Sequence, residues 1–280
     1  MTFGSDALGL PASGLPVLRD LIHERTGLFF DDSRIDMLAE RVAPIVIQRG
    51  FRSFLDLYYL LKYDSRDAAH AWRLVMDALS VPETYFWREV DQIRAVVCRV
   101  VPELVRCGAN IIRIWSAPCA TGEEPLTIAM MLAETGWFDR ASFEIHASDA
   151  SQSAIAKARA GRYRERAFRA LPDSLKEKYF VADGSEFVPV PWLSARVTSW
   201  SVVNLMAPED VAPYLQAPIV FCRNAFIYFS PRTVQTVVAT YAERMPTPGY
   251  LCVGASESLL NATTVFSLEQ IDGAFVYVKR

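Results

Sequence analysis

Two stretches far apart in the chain place polar side chains where apolar runs end. The first is Ile112-Arg-Ile-Trp-Ser-Ala-Pro-Cys-Ala-Thr-Gly-Glu-Glu-Pro125; the second is Phe221-Cys-Arg-Asn-Ala-Phe-Ile-Tyr-Phe229. The first reads as a buried strand, a tight turn and a helix start, so its free amides and positive dipole end suit the carboxylate of a bound amino acid. Glu123 and Glu124 fall in the first helical turn. Either they complement the dipole, or one carboxylate holds a ligand's cation. Asp149, in His146-Ala-Ser-Asp-Ala150, ends a second apolar run. It can cap the next helix or accept the two hydroxyls of a ribose. Arg223 and Asn224 end a strand that has little reason to stop on such residues unless something polar waits there. Tyr228 is either a half-buried aromatic with a satisfied hydroxyl or part of the same pocket. Asn204-Leu205 stands in a turn after a short strand.

These groups need a scaffold that brings strand ends and helix starts together. From about Ile111 short apolar runs alternate with helical patterns: Ile111–Ser116 then Glu123–Glu134, Phe143–Ala147 then Gln152–Arg159, Ile219–Cys222 then Pro231–Arg244, then Tyr250–Val253. Such alternation predicts parallel strands with helices on both faces. The tail, Val265–Gln270 and Ala274–Val278 around Asp272-Gly273, predicts an antiparallel hairpin. Residues 171–203 break the rhythm, with a capped helix over Leu171–Phe180 and two short strands, Phe187–Val190 and Arg196–Ser201, expected to pair antiparallel around Pro191 as a β insertion. Residues 15–79 read as four helices: one ending at Gly27, one from the Asp31-Asp32-Ser33 cap signal to Arg49 and kinked at Pro44, one capped by Ser53, and one capped by Ser65. The division expected is 1–79 helical, 80–110 linker and connecting helix, and 111–280 the α/β part.

Composition narrows the function. The 280 residues are 51% hydrophobic with net charge −3, enough for a large core and unsuited to nucleic-acid binding by charge. Cys98, Cys107, Cys119, Cys222 and Cys252 form no CxxC pair, which predicts reduced thiols and a cytoplasmic protein. No His/Cys/Asp cluster has ligand spacing, so no metal is implied. Met1–Leu10 lacks a basic start and an apolar run, and no segment has the ~20 apolar residues of a membrane span, so neither a signal peptide nor direct membrane insertion is expected.

The frame Trp115-Ser-Ala…Thr121-Gly-Glu-Glu-Pro125, with Cys222-Arg-Asn-Ala-Phe-Ile-Tyr228 and the linker Val81-Pro-Glu-Thr-Tyr-Phe-Trp-Arg88, resembles the CheR family of chemotaxis receptor methyltransferases from about residue 15 to 280. The resemblance implies a class I S-adenosylmethionine-dependent methyltransferase sheet, and transfer of methyl to glutamate side chains on the cytoplasmic helices of chemoreceptors by a monomer. It assigns the ligand carboxylate to Glu124 and turn support to Glu123. Asp149 would bind ribose, Asn204 and Leu205 would lie against adenine, and Arg223 and Asn224 would line the cofactor pocket. Thr84 and Arg88 would face the reaction centre, and Tyr228 would sit near the methyl and orient the carboxylate. Pro82 stands where the family has Asn, and Ser151 where it often has a second Asp. The family's basic second helix keeps Arg34, Arg41 and Arg49 here but is interrupted by Ala43-Pro-Ile-Val-Ile47, and the short insertion favours members needing no receptor tether peptide. A glutamate with pKa ~4.3 is already ionised, so no general base is required. Two other readings remain: a non-catalytic S-adenosylmethionine-binding scaffold, and a small-molecule O-methyltransferase. Retention of Thr84, Arg88 and Tyr228 disfavours the first, and the helical part and insertion disfavour the second.

Overall fold

The computed structural model describes residues 9–11, 13–64 and 66–280. The first helices follow their sequence signals. α1 (Leu15–Thr26) buries Leu15, Leu18 and Ile22 and stops at Gly27, whose φ of 79° is costly for a side-chain-bearing residue. Asp31 accepts from the amides of Ser33 and Arg34, opening a 3₁₀ turn that runs into α2 (Ile35–Gln48). α2 is unbroken through Pro44. Ser53 and Asp56 form a capping box for α3 (Phe54–Tyr63), and α4 (Ala68–Leu79) follows. The cap expected at Ser65 lies outside the described residues. Leu18, Leu38, Leu57 and Val75 meet in a core built only from this helical part.

An extended linker, residues 80–89, leads to α5 (Val90–Ala95), a π-helical turn and α6 (Val101–Arg106). Then the α/β part begins: β1 (Ile111–Ser116), α7 (Glu123–Glu134), β2 (Ser142–Asp149), α8 (Gln152–Ala160), α9 (Asp173–Tyr179), β3 (Phe180–Asp183), β4 (Glu186–Pro189), α10 (Pro191–Ser194), β5 (Val197–Val202), α11 (Pro208–Val211), β6 (Ile219–Phe221), α12 (Pro231–Arg244), β7 (Gly249–Cys252), β8 (Phe266–Ile271) and β9 (Ala274–Lys279). Seven strands form one sheet in the order β5-β2-β1-β6-β7-β9-β8, parallel except for β9, which runs antiparallel to both neighbours. Ile112, Ile114 and Trp115 are fully buried, as strands covered on both faces require.

One expected pairing is wrong. Phe187–Val190 does not pair with Arg196–Ser201: β4 pairs with β3 in a separate two-stranded sheet, and β5 joins the main sheet parallel to β2. Pro191 begins a helical turn rather than a hairpin, carrying the chain from one sheet to the other. The insertion therefore ends before β5.

The chain winds from β1 to one edge through β2 and β5, then reverses from β6 through β7. The reversal leaves a crevice beside the carboxyl ends of β1 and β6, where an open α/β sheet binds ligands. The helical bundle covers that end. Phe29 N–H donates to Tyr228 O at 2.8 Å, Asn204 Nδ2 to Arg25 O at 2.7 Å, and Ser151 Oγ to Asp77 Oδ1 at 2.6 Å.

Candidate active site

A cleft whose empty space, open mouth included, is about 1120 Å³ lies between the bundle, the linker and the carboxyl ends of the strands. Thr84, Arg88, Glu124, Asp149, Asn204, Leu205, Arg223, Asn224 and Tyr228 all line it, although they come from the linker and from four strand ends.

The turn after β1 sets the first wall. Gly122 opens α7 with φ 99°, and a Cβ there would stand 2.9 Å from Trp200. Ser116 Oγ donates to Glu124 Oε1 at 2.6 Å, and Thr121 Oγ1 donates to Glu123 Oε2 at 2.7 Å. The two neighbouring acids are thereby separated: Glu123 closes the turn, while Glu124 faces the cleft. Burial pushes the Glu124 carboxyl up, against the pull of Arg223 and Ser116. Asp149, at the end of β2, accepts from Ala120 N–H and Ser151 N–H, each at 2.9 Å. Burial pushes its carboxyl up as well, and those amides pull it back. Cys119, between them in the cleft wall, is no thiolate, because burial and then the charges of Asp149 and Glu124 hold its thiol well above the usual range.

Arg223 is the centre of the polar network. Its side chain is buried between two carboxylates, with Nη1 3.2 Å from Glu124 Oε2 and Nη2 3.1 Å from Glu89 Oε2. Nη2 also donates to Arg88 O at 2.9 Å. Its Nε is buried without a protein partner. Asn224 follows in the left-handed region with φ 59°. Glu257 steadies it by accepting from Asn224 N–H, Gly254 N–H and Ile227 N–H at 2.8, 2.6 and 3.2 Å. A Cβ on Gly254 would stand 2.5 Å from Asn224 Nδ2 and 2.9 Å from Glu257 Oε2, so a side chain there would displace the groups that hold this turn.

The linker forms the opposite wall. Arg88 is partly exposed, donates to Glu83 O at 2.7 Å, and lies 3.7 Å from Glu89 Oε1. It is flanked by Trp87 with φ 70° and Glu89 with φ 47°. Two non-glycine residues in the left-handed region around one arginine mark a conformation that only the surrounding fold sustains. Trp87 N–H is held by Thr127 Oγ1 at 3.2 Å, and Ala255 N–H by Glu89 at 3.1 Å. Asn204 uses its side chain structurally: Nδ2 reaches Arg25 O and Oδ1 accepts from Met206 N–H at 3.0 Å.

Sequence reasoning passed over Glu89 and Glu257. Glu89 directly follows Arg88, and only the fold shows it facing Arg223 from the far side of the chain. Glu257 sits in Gly254-Ala-Ser-Glu257, a loop carrying no motif of its own.

The geometry is that of a ligand crevice at the switch point of an α/β sheet, roofed by helices. The family description "CheR methyltransferase, SAM binding domain" matches residues 82–275, and "CheR methyltransferase, all-alpha domain" matches residues 14–80. The chain belongs to the CheR methyltransferase family. Its fold is accordingly a class I methyltransferase sheet preceded by a helical part, and it is an S-adenosylmethionine-dependent methyltransferase. It is 32% identical over 267 residues to chemotaxis protein methyltransferase 2 of Vibrio cholerae, covering 93% of this chain and 91% of that protein. It is 27% identical to chemotaxis protein methyltransferase 1 of Pseudomonas aeruginosa, covering 93% and 96%, and 27% identical to the chemotaxis protein methyltransferase of Escherichia coli, covering 94% and 91%. Within this CheR-family chain, no helix among the described residues is long and apolar enough to cross a membrane.

Proposed function

We propose that this protein methylates glutamate side chains on the cytoplasmic helices of chemoreceptor-type proteins, giving glutamate methyl esters, without needing a receptor tether peptide. The observation that carries this reading is the Glu89–Arg223–Glu124 arrangement at the crevice. It offers a carboxylate for an ammonium group and, at the orphaned Arg223 Nε, a buried donor for a carboxylate. Those are the two charged groups of an amino acid. The Asp149 carboxylate at the end of β2 adds an acceptor for ribose hydroxyls. The residues present thus fit S-adenosylmethionine: Glu124 and Arg223 toward its amino-acid end, Asp149 toward its ribose, and the Asn204-Leu205 and Asn224 walls around its base. When bound, it supplies an electrophilic methyl group on a sulfonium.

This chain's own residues then have to hold the acceptor. An ionised glutamate needs no base, so the work is positioning and removal of water. Arg88 lines the cleft with part of its charge already offset by Glu89 and Glu83 O, which favours a loose hold that leaves the carboxylate nucleophilic. Tyr228, fixed through its carbonyl by Phe29 N–H, offers its hydroxyl to the same carboxylate. Thr84 borders the reacting region on the linker side.

The test is titration calorimetry with S-adenosylmethionine and S-adenosylhomocysteine, followed by methyl transfer to receptor cytoplasmic fragments. Wild type should bind both, and Glu124→Ala should bind about 10- to 100-fold more weakly, the loss of one charged hydrogen-bonded contact. Transfer should yield base-labile esters on glutamate. Binding without transfer to any receptor fragment would sink the glutamate acceptor and leave the methyltransferase with a different substrate.

A further inference from the structure

A second concavity lies beside the cleft on the other side of the linker; Glu83 and Thr84 line both. Its cations are Lys157, Arg162, Arg164, Arg166 and Arg169, against the carboxylates Glu83, Glu186 and the buried Glu123, with Asp183 pairing Arg162 at 2.7 Å from just outside the lining. In a chain of net charge −3 this is a local reversal of sign. The fold builds it deliberately from the turn region between α8 and α9. Glu83 Oε2 and Oε1 take Arg166 Nη2 and Arg169 Nη2 at 2.9 and 2.8 Å, and Glu186 takes Arg162 Nε at 2.8 Å. Arg169 also stacks 3.7 Å above the ring of Tyr85, a residue of the cleft wall. The outer cations stay free to act: the Arg164 side chain is 85% exposed with one carboxylate at 3.8 Å, and Lys157 has no ion pair among the described residues.

The arginines in and beside α2 are engaged to a different degree. Arg41 donates to Leu79 O at 2.9 Å and Arg49 is paired with Asp67, so two of the three are committed to the bundle. Arg34, 3.8 Å from Asp31 and about half exposed, is as loosely paired as Arg164 and serves as its comparison.

We propose that this groove receives further acidic side chains of the same protein segment whose glutamate enters the cleft, so that it selects acidic helical substrates. This rests on the acceptor assigned under Proposed function. A helix presenting a glutamate to the cleft carries its neighbours at three and four residues along the same face, and those would meet the groove across Glu83 and Thr84. Exposed charges of this kind govern encounter and substrate affinity more than chemistry.

The experiment measures methylation of a receptor cytoplasmic fragment by wild type, by Lys157→Glu/Arg164→Glu and by Arg34→Glu, with S-adenosylhomocysteine affinity as the check on folding. The double variant should raise KM for the fragment about tenfold, leave kcat within about twofold, and leave S-adenosylhomocysteine affinity unchanged, because reversal turns attraction into repulsion. Wild-type KM should climb with salt, and the variant's less steeply. An unchanged KM in the double variant, or an equal rise in Arg34→Glu, overturns the proposal. So does wild-type binding to anionic phospholipid vesicles that the double variant loses while its KM stays put, which would assign the groove to a membrane surface. No transfer by wild type to any fragment would instead remove the acceptor itself, and with it the premise.

Discussion

The two walls of the cleft are built on opposite plans. On the sheet side, Asp149 and Arg223 are buried and Glu124 nearly so, and strand-end or turn groups bind each of them. On the linker side, Thr84, Arg88 and Glu89 are partly exposed, the backbone is strained at Trp87 and Glu89, and the holding bonds come from other segments through Thr127 and Ala255. A buried charge network has one low-energy arrangement, so the sheet wall is preorganised for a fixed ligand. The linker wall depends on contacts from elsewhere, so its geometry is set by the packing of other segments against it.

The largest expected difference between the walls comes from deleting one arginine on each. Arg223→Met leaves Glu124 and Glu89 facing each other without their shared cation. Breaking a buried pair in this way costs about 3–5 kcal/mol, which in a chain of this size lowers Tm by about 10 °C. Arg88→Ala removes a partly exposed group and should leave Tm nearly unmoved. It should instead cut turnover about a hundredfold while S-adenosylhomocysteine affinity changes little. Thermal melts and steady-state kinetics on both variants check this. Equal losses of turnover and cofactor affinity in Arg88→Ala would remove its acceptor-positioning role.

A pH series separates the same two kinds of group. Burial raises the carboxyls of Glu124 and Asp149 in the folded chain. A raised carboxyl binds its proton in the native state before the unfolded state does, so between the ordinary and the raised value these groups favour folding more as pH falls. Glu134, lowered by Lys178 and Tyr179, behaves oppositely, and its contribution is lost as pH falls. If Glu124 holds the ligand's ammonium in its ionised form, the Tm gain given by S-adenosylhomocysteine should shrink as pH falls, and should begin to do so above the ordinary carboxylate range because burial raises this carboxyl. A gain independent of pH down to the ordinary carboxylate range would separate Glu124 from the ligand.

How far the sequence could be read follows the range of the interactions. Where signals are local they carried: Gly27, the Ser53 cap and the alternation from Ile111 onward put helices and strands in place within a few residues, and the motif residues all reach one cleft. Where partners are distant they did not. β5 pairs with β2, some fifty residues earlier, and nothing within Arg196–Ser201 distinguishes that from a hairpin with β4. Glu89 and Glu257 are invisible for the same reason, since each acts by reaching across a crossover to Arg223 or to the Asn224 backbone.

The smallest effect tests whether Asn204 belongs to the ligand wall or to the scaffold. Its side chain is committed at both ends, donating to the last turn of α1 at Arg25 O and accepting from Met206 N–H. That leaves the backbone of Asn204-Leu205 as the part available to a purine. Asn204→Ala removes an interdomain hydrogen bond worth about 1 kcal/mol and should lower Tm by about 2–4 °C. S-adenosylhomocysteine affinity should fall less than about threefold if only the backbone of this loop meets the ligand. The two readouts divide the possibilities: a stable variant that no longer binds would move Asn204 to the ligand, while lost stability with retained binding leaves it as the clasp between the bundle and the sheet. In that case the helical bundle holds the roof of the cleft through the same loop that borders the base, and loosening one loosens the other.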